Sequence, residues 1–196
     1  MRGALARTIR TARADRPAAD VCDLCGETTE PEHPHLLDTA RDQVLCACRA
    51  CSLLFVRGAA TPERPYRLVP RRRVRLPEVD TEPLGVPVGM AFFVPRDDGA
   101  VTAFYPSPLG ATRWETDSAA WRRVTGQCPE LVSLRPDVEA LLVNTARGLR
   151  HHWLVPIDDC YRLVAVIRAE WRGLSGGSKV WREIEQFFAE LSERPD

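Results

Sequence analysis

The sequence predicts an α+β protein, an N-terminal metal-knuckle module followed by a small antiparallel sheet packed with helices. Three observations predict it. Four cysteines form two CxxC pairs within thirty residues, Cys22 with Cys25 and Cys48 with Cys51. Two apolar, β-rich runs, GMAFFVP and AVTAFYP, flank the turn signal RDDG and read as a hairpin. Two segments near the C-terminus carry their apolar residues at helical spacing.

The knuckles come first in the chain, in the runs CDLCG and CACRACSLLF. Two cysteines three apart on a tight turn aim both sulfurs at one point, and Gly26 supplies the positive φ such a turn needs. Residues 26–47 separate the pairs, a loop length typical of paired knuckles that face each other around one metal. Zinc takes four thiolates as a closed structural site, and iron takes them as a redox centre. The loop is polar, with Glu27, Glu30, Glu32, Asp38 and Asp42, and RDQVLCAC reads as a short strand entering the second knuckle. Such a segment builds no apolar core of its own; metal ligation stands in for one, contributing on the order of 10 kcal/mol. The reading is a zinc-ribbon-like module with Cys22, Cys25, Cys48 and Cys51 as metal ligands, zinc as the metal and iron as the alternative. Cys46, His33 and His35 compete as substitute ligands for that site. Disulfides explain the spacing less well in a reducing compartment. Cys128 and Cys160, far away in sequence, read as small buried residues.

Composition bounds the remainder. With 196 residues and 44% apolar content, the chain suits one domain plus a small module, or two small domains. Formal net charge is zero, so no global field draws it to nucleic acid or membrane. No run of eighteen apolar residues exists, and so no membrane span is expected. The arginine-rich start lacks the apolar stretch of a secretory signal. The expectation is a cytoplasmic protein arranged as a basic leader (1–19), the zinc-ribbon-like module (20–57), a Pro/Arg-rich connector (58–87) and an α+β domain (88–193). Six arginines lie from Arg64 to Arg75 with no acid among them. That block reads as a solvated linker rather than a nucleic-acid site, although YRLV and RVRL also permit short edge strands.

Beyond the hairpin, SPLGATRWE reads as loop or short strand. Asp117 or Ser118 caps a helix through Trp121 and Val124. PDVEALLVNTARG reads as a second helix, with Pro136 at its first turn and Gly148 near its end. HHWLVP is a strand. IDDCYRLVAVIRAEWRG places Leu163, Val164, Ile167 and Trp171 on one helical face. GLSGG interrupts it, and KVWREIEQFFAELSERP follows as an amphipathic helix with Val180, Trp181, Ile184, Phe187, Phe188 and Leu191 on one side.

No catalytic constellation emerges, so the chain reads as non-enzymatic. His151 and His152 are adjacent and face opposite sides of a strand. Asp158 and Asp159 precede a helix and read as its cap. Ser175, Gly176 and Gly177 resemble an anion-accepting nest, but without the lysine of a phosphate loop.

The stretch VPIDDCYRLVAVIRAEWRGLSGGSKVWREIEQFFAEL is similar to the C-terminal signature of an uncharacterised bacterial family, built on a PID-x-CY helix, a W-x-G-x-x-GG break and a W-x-EI-x-x-FF helix. AFFVP, AFYPSPLGAT and the cysteine run CDLCG…CACRACSLLF extend the resemblance over most of residues 20–192. Members of that family are encoded in actinobacterial gene clusters of high-affinity nickel–iron hydrogenases. The resemblance implies a process, the assembly, electron transfer or regulation of a hydrogenase, with a hydrogenase subunit or maturation factor as the protein partner. It implies no reaction. CDLCG also resembles a rubredoxin knuckle, which keeps an electron-carrying iron centre as the alternative. The second knuckle departs from that pattern, with Arg49 in place of the proline and Ser52 in place of the glycine.

Overall fold

A computed structural model describes residues 20–56, 65–86, 89–173 and 176–193. The basic leader expected over 1–19 and the serine of the expected anion nest, Ser175, lie outside the described residues. The chain divides into two compact units, Met1–Leu68 and Val69–Asp196.

The first unit is built on a three-stranded antiparallel sheet. Strands β1 (His35–Asp38), β2 (Gln43–Cys46) and β3 (Tyr66–Leu68) lie in the order β2-β1-β3. β2 is the strand expected before the second knuckle, and β3 is the edge strand permitted by YRLV. The β1–β2 turn is held by Asp38, whose Oδ1 accepts the N–H groups of Ala40 and Arg41 while Oδ2 pairs with Arg41 at 2.9 Å. After β2 the chain makes one helical turn, α1 (Arg49–Ser52), and a short 3-10 turn over Leu53–Phe55. Among the described residues of this unit, Cys22, Leu36, Leu37 and Ala47 are the buried apolar side chains. That is too small a core for independent stability.

The second unit holds a six-stranded antiparallel sheet. Its strands are β4 (Val74–Arg75), β5 (Met90–Pro95), β6 (Val101–Ser107), β7 (Gly110–Glu115), β8 (Glu139–Asn144) and β9 (His151–Pro156), in the order β4-β9-β8-β5-β6-β7. The RDDG turn closes the β5–β6 hairpin through Arg96 N–H to Ala100 O at 2.8 Å, with Gly99 at φ 80°. Helices α2 (Ser118–Gln127), α3 (Ile157–Glu170) and α4 (Gly177–Glu193) complete the unit. Asp117 caps α2 as expected, its Oδ1 accepting the Ala119 N–H at 2.9 Å. Side chains alternate across β5. Phe93 stacks with Trp121 of α2, in a core with Ala91, Ala103, Val124, Leu141 and Val143. Phe92, next along the strand, meets Tyr161 of α3 on the other face. The sheet is thus covered on both sides. On α4, Val180, Ile184, Phe187, Phe188 and Leu191 are buried as the helical spacing predicts. Trp171 and Trp181 are half-buried rather than core, and the Arg147 guanidinium lies over the Trp181 ring.

The helix expected over PDVEALLVNTARG is not formed. Pro136 and Asp137 make a turn, and Glu139–Asn144 is β8, paired with β5 and β9. Every residue of β8 is buried. A strand with both faces covered carries an unbroken apolar run, which has no period of two to separate it from a helix.

The arginine block is also more than a linker. Arg72 reaches the fully buried Glu139, donating to Oε1 at 3.1 Å and Oε2 at 2.9 Å, and also bonds Ser133. Arg73 donates to Asp159 at 2.6 Å, and Arg162 approaches the same carboxylate at 3.6 Å. Asp159 therefore does not cap α3; it is an ion-pair partner inside the unit. Val74 and Arg75 follow as β4, the edge strand permitted by RVRL.

Two consequences can be measured here. Gly89 has φ 71°, and a Cβ there would lie 2.8 Å from the backbone nitrogen of Ala146. Gly89→Ala combines a disfavoured conformation with a clash against backbone and is expected to cost about 3 kcal/mol. All five tryptophans of the chain lie at or beyond Trp114, so fluorescence-monitored urea unfolding reads this unit directly. Second, burial lowers the pKa of both His151 and His152. The positive Arg75 adds to the effect at His151, while at His152 Glu78 opposes it and His151 reinforces it. The folded state resists protonation that the unfolded chain accepts near pH 6.5. Their stabilising contribution is complete above that pH and is lost as pH falls below it. The urea midpoint should decline between pH 7 and pH 5, and His152→Gln should flatten the decline; an unchanged slope would place its origin elsewhere.

Candidate metal centre

The first knuckle is a tight turn inside a miniature hairpin. Val21 and Thr28 bridge, Cys22 N–H bonds Glu27 O at 2.8 Å, and Gly26 N–H bonds Cys22 O at 2.8 Å. Gly26 has φ 74°, the conformation expected of it. The second knuckle sits where β2 passes into α1. Cys48 is the N-cap of that helical turn, and its Sγ accepts the Cys51 N–H at 3.4 Å. Asp23 joins the knuckles, its N–H donating to Cys46 O at 2.9 Å and its Oδ2 accepting the Cys46 N–H at 2.7 Å.

The result is convergence. Single sulfur atoms from Cys22, Cys25, Cys48 and Cys51 all lie within 4.8 Å of one another. A tetrahedral centre with metal–sulfur bonds of about 2.3 Å has edges of about 3.8 Å. Cys25 Sγ and Cys48 Sγ stand 3.8 Å apart. The four cysteines thus form a cluster able to hold a metal ion, and the donor set suits zinc and iron alike.

The thiols feel one another. Burial pushes Cys22 up, but the N–H groups of Cys48, Leu24 and Cys25 outweigh it, and its pKa falls to about 6. Cys51, sharing protons with the sulfurs of Cys25 and Cys48, is pushed up to about 12. At Cys25 the Glu27 N–H pulls down, yet the neighbouring thiols leave it raised. One thiolate forms easily and further ionisation is resisted. A divalent cation among the sulfurs relieves that resistance and displaces the protons.

The substitutes named from the sequence do not join this cluster. Cys46, His33 and His35 form a second group of their own, again within 4.8 Å of one another. Cys128 and Cys160 are buried, as expected, and burial raises both thiols. His151 stacks on Phe188 and His152 is buried in β9.

A protein family described as a family of unknown function, DUF5947, matches residues 21–195. The chain belongs to DUF5947. The match takes in both cysteine knuckles and the sheet unit, which agrees with the resemblance to an uncharacterised family over most of the chain. No curated protein and no solved structure matches. No helix among the described residues is long and apolar enough to cross a membrane.

Proposed function

We propose that Cys22, Cys25, Cys48 and Cys51 hold a structural zinc ion in a non-enzymatic, cytoplasmic accessory protein. Its partner in this reading is a subunit or maturation factor of a nickel–iron hydrogenase. The observation that supports a metal centre is the four-sulfur cluster with its 3.8 Å edge, and the second knuckle's departure from the rubredoxin pattern at Arg49 and Ser52 favours zinc over iron. Four protein ligands leave no open position for a substrate, so the metal's task is to hold the fold. The hydrogenase context rests on the resemblance of the cysteine run and the C-terminal signature, an association by genomic company.

A second reading has its own observation. Cys25 is exposed, and N–H groups surround Cys22 and reach Cys48 Sγ. N–H···S bonds tune an iron–thiolate centre, and an exposed sulfur gives an electron a way out. In that reading the protein carries electrons to or from a hydrogenase.

Metal content and the absorption spectrum of protein purified anaerobically from a native-like host separate the two. A colourless protein with tightly held zinc supports the first; iron with thiolate charge-transfer bands supports the second. Affinity capture from the same host tests the partner. Recovery of hydrogenase subunits or their maturation factors is expected, and their consistent absence would remove the hydrogenase assignment while leaving the zinc centre intact.

A further inference from the structure

The second cluster, His33, His35 and Cys46, is built by strand geometry. His35 on β1 is the direct cross-strand partner of Cys46 on β2. The N–H and C=O of Cys46 both bond Asp23 instead of β1, so the pair is of the non-hydrogen-bonded kind, in which opposed side chains stand closest. Two residues before His35, with Pro34 between, His33 brings a second ring to the same place; the ring centroids are 4.8 Å apart and steeply inclined at 75°. Pro34 O accepts the Ala47 N–H at 2.9 Å, which prolongs the pairing of the two segments beyond His35 and Cys46.

His33 is oriented as a ligand. Its Nδ1 lies 2.8 Å from Glu30 O, and a carbonyl only accepts, so Nδ1 carries the hydrogen. In the neutral ring the lone pair then sits on Nε2. That atom is buried and has no hydrogen-bond partner. A buried, unsatisfied acceptor costs free energy unless something occupies it. An imidazole fixed through one nitrogen by a backbone carbonyl, with the other left bare, is the arrangement of metal-bound histidines.

We propose that His33, His35 and Cys46 form a second metal site, separate from the four-cysteine centre, that binds one zinc-like divalent cation through two imidazoles and one thiolate. Three protein ligands leave a fourth position for water or an outside donor, the pattern of an open rather than a closed site. Zinc–ligand bonds of about 2.0–2.3 Å place tetrahedral donors about 3.3–3.8 Å apart, a separation inside the 4.8 Å limit that the three ligand atoms meet. Binding replaces the Cys46 proton, which passes to solvent, and no oxidation state changes. The proposal stands whichever metal the four cysteines hold.

Anaerobic titration of the full-length, metal-stripped protein with cobalt(II) tests it, because cobalt thiolate bands grow with the number of sulfurs bound. Two equivalents per chain are expected. The first brings the intense spectrum of four thiolates, and the second a weaker increment from one thiolate. His33→Gln and Cys46→Ala should each weaken the second equivalent by at least about tenfold while leaving the first spectrum unchanged. That unchanged spectrum also certifies that the variant knuckles are folded. Saturation of the unaltered protein at one equivalent would overturn the proposal. So would two full equivalents in both variants, or a His33→Gln change in the first spectrum, which would make the histidine a ligand of the four-cysteine centre.

Discussion

Replacing Cys22 by serine is expected to release the metal of the four-cysteine cluster and to unfold residues 20–56, while leaving the second unit intact. Among its described residues the first unit buries Cys22, Leu36, Leu37 and Ala47 and little else that is apolar. Two fully buried leucines contribute about 2 kcal/mol each, far below the order of 10 kcal/mol that a structural zinc contributes. Cys22 is the buried member of the cluster, and the N–H groups around it lower its pKa to about 6. The serine hydroxyl is a poor substitute for that thiolate. The second unit has its own core and carries all the tryptophans. The variant should therefore lose zinc and become protease-sensitive between Cys22 and Cys51, with an unaltered fluorescence-monitored urea transition. A variant that retained one zinc and resisted protease would show that Cys22 is not a structural ligand. Loss of both transitions together would show that the units are not energetically separable.

Arg72→Met is expected to destabilise the second unit by about 3 kcal/mol, the lower end for breaking a buried ion pair, because Arg72 itself is partly in solvent. Glu139 is the reason for the size of the effect. It is fully buried at the start of β8, and both its oxygens are occupied, by Arg72 and by the Arg135 N–H at 2.8 Å. Without Arg72 the carboxylate keeps one neutral donor. Adding Glu139→Gln removes the stranded charge while its side-chain oxygen still accepts the Arg135 N–H. The double variant should recover at least about half of the loss. Urea midpoints followed by tryptophan fluorescence give both numbers. A single-variant change below about 0.5 kcal/mol would mean that solvent satisfies Glu139 as well as arginine does.

These variants mark what the chain discloses locally and what it does not. The four clustered cysteines are readable because each CxxC pair is a local turn and only one loop separates the pairs. The β5–β6 hairpin is readable through RDDG, and α3 and α4 through one-sided apolar spacing. β8 is not, because burial on both faces removes the period, and Glu139 at its start resembles the polar first turn of a helix. Its partner Arg72 lies 67 residues earlier, in a block that looks solvated until the sheet brings it to β8. The histidines illustrate a third case. Their two-residue spacing is visible, but their pairing with Cys46 depends on the β1–β2 register, and so they read as spare ligands for the wrong centre.

The place of β4 in the sheet has a consequence for synthesis. Val74 pairs with Leu154, and Arg73 with Asp159, across most of the second unit. The strands β5, β6 and β7 meet through short turns, and so does the first unit apart from β3. On a ribosome, then, the knuckles can take up their metal and the β5–β7 meander can form while β4 still waits for sequence not yet translated. Residues 69–75, made early, are seated late. Until Asp159 leaves the exit tunnel, Arg72 and Arg73 do not both have their carboxylates, and the nascent chain carries a positive segment whose charge the finished protein partly pairs off.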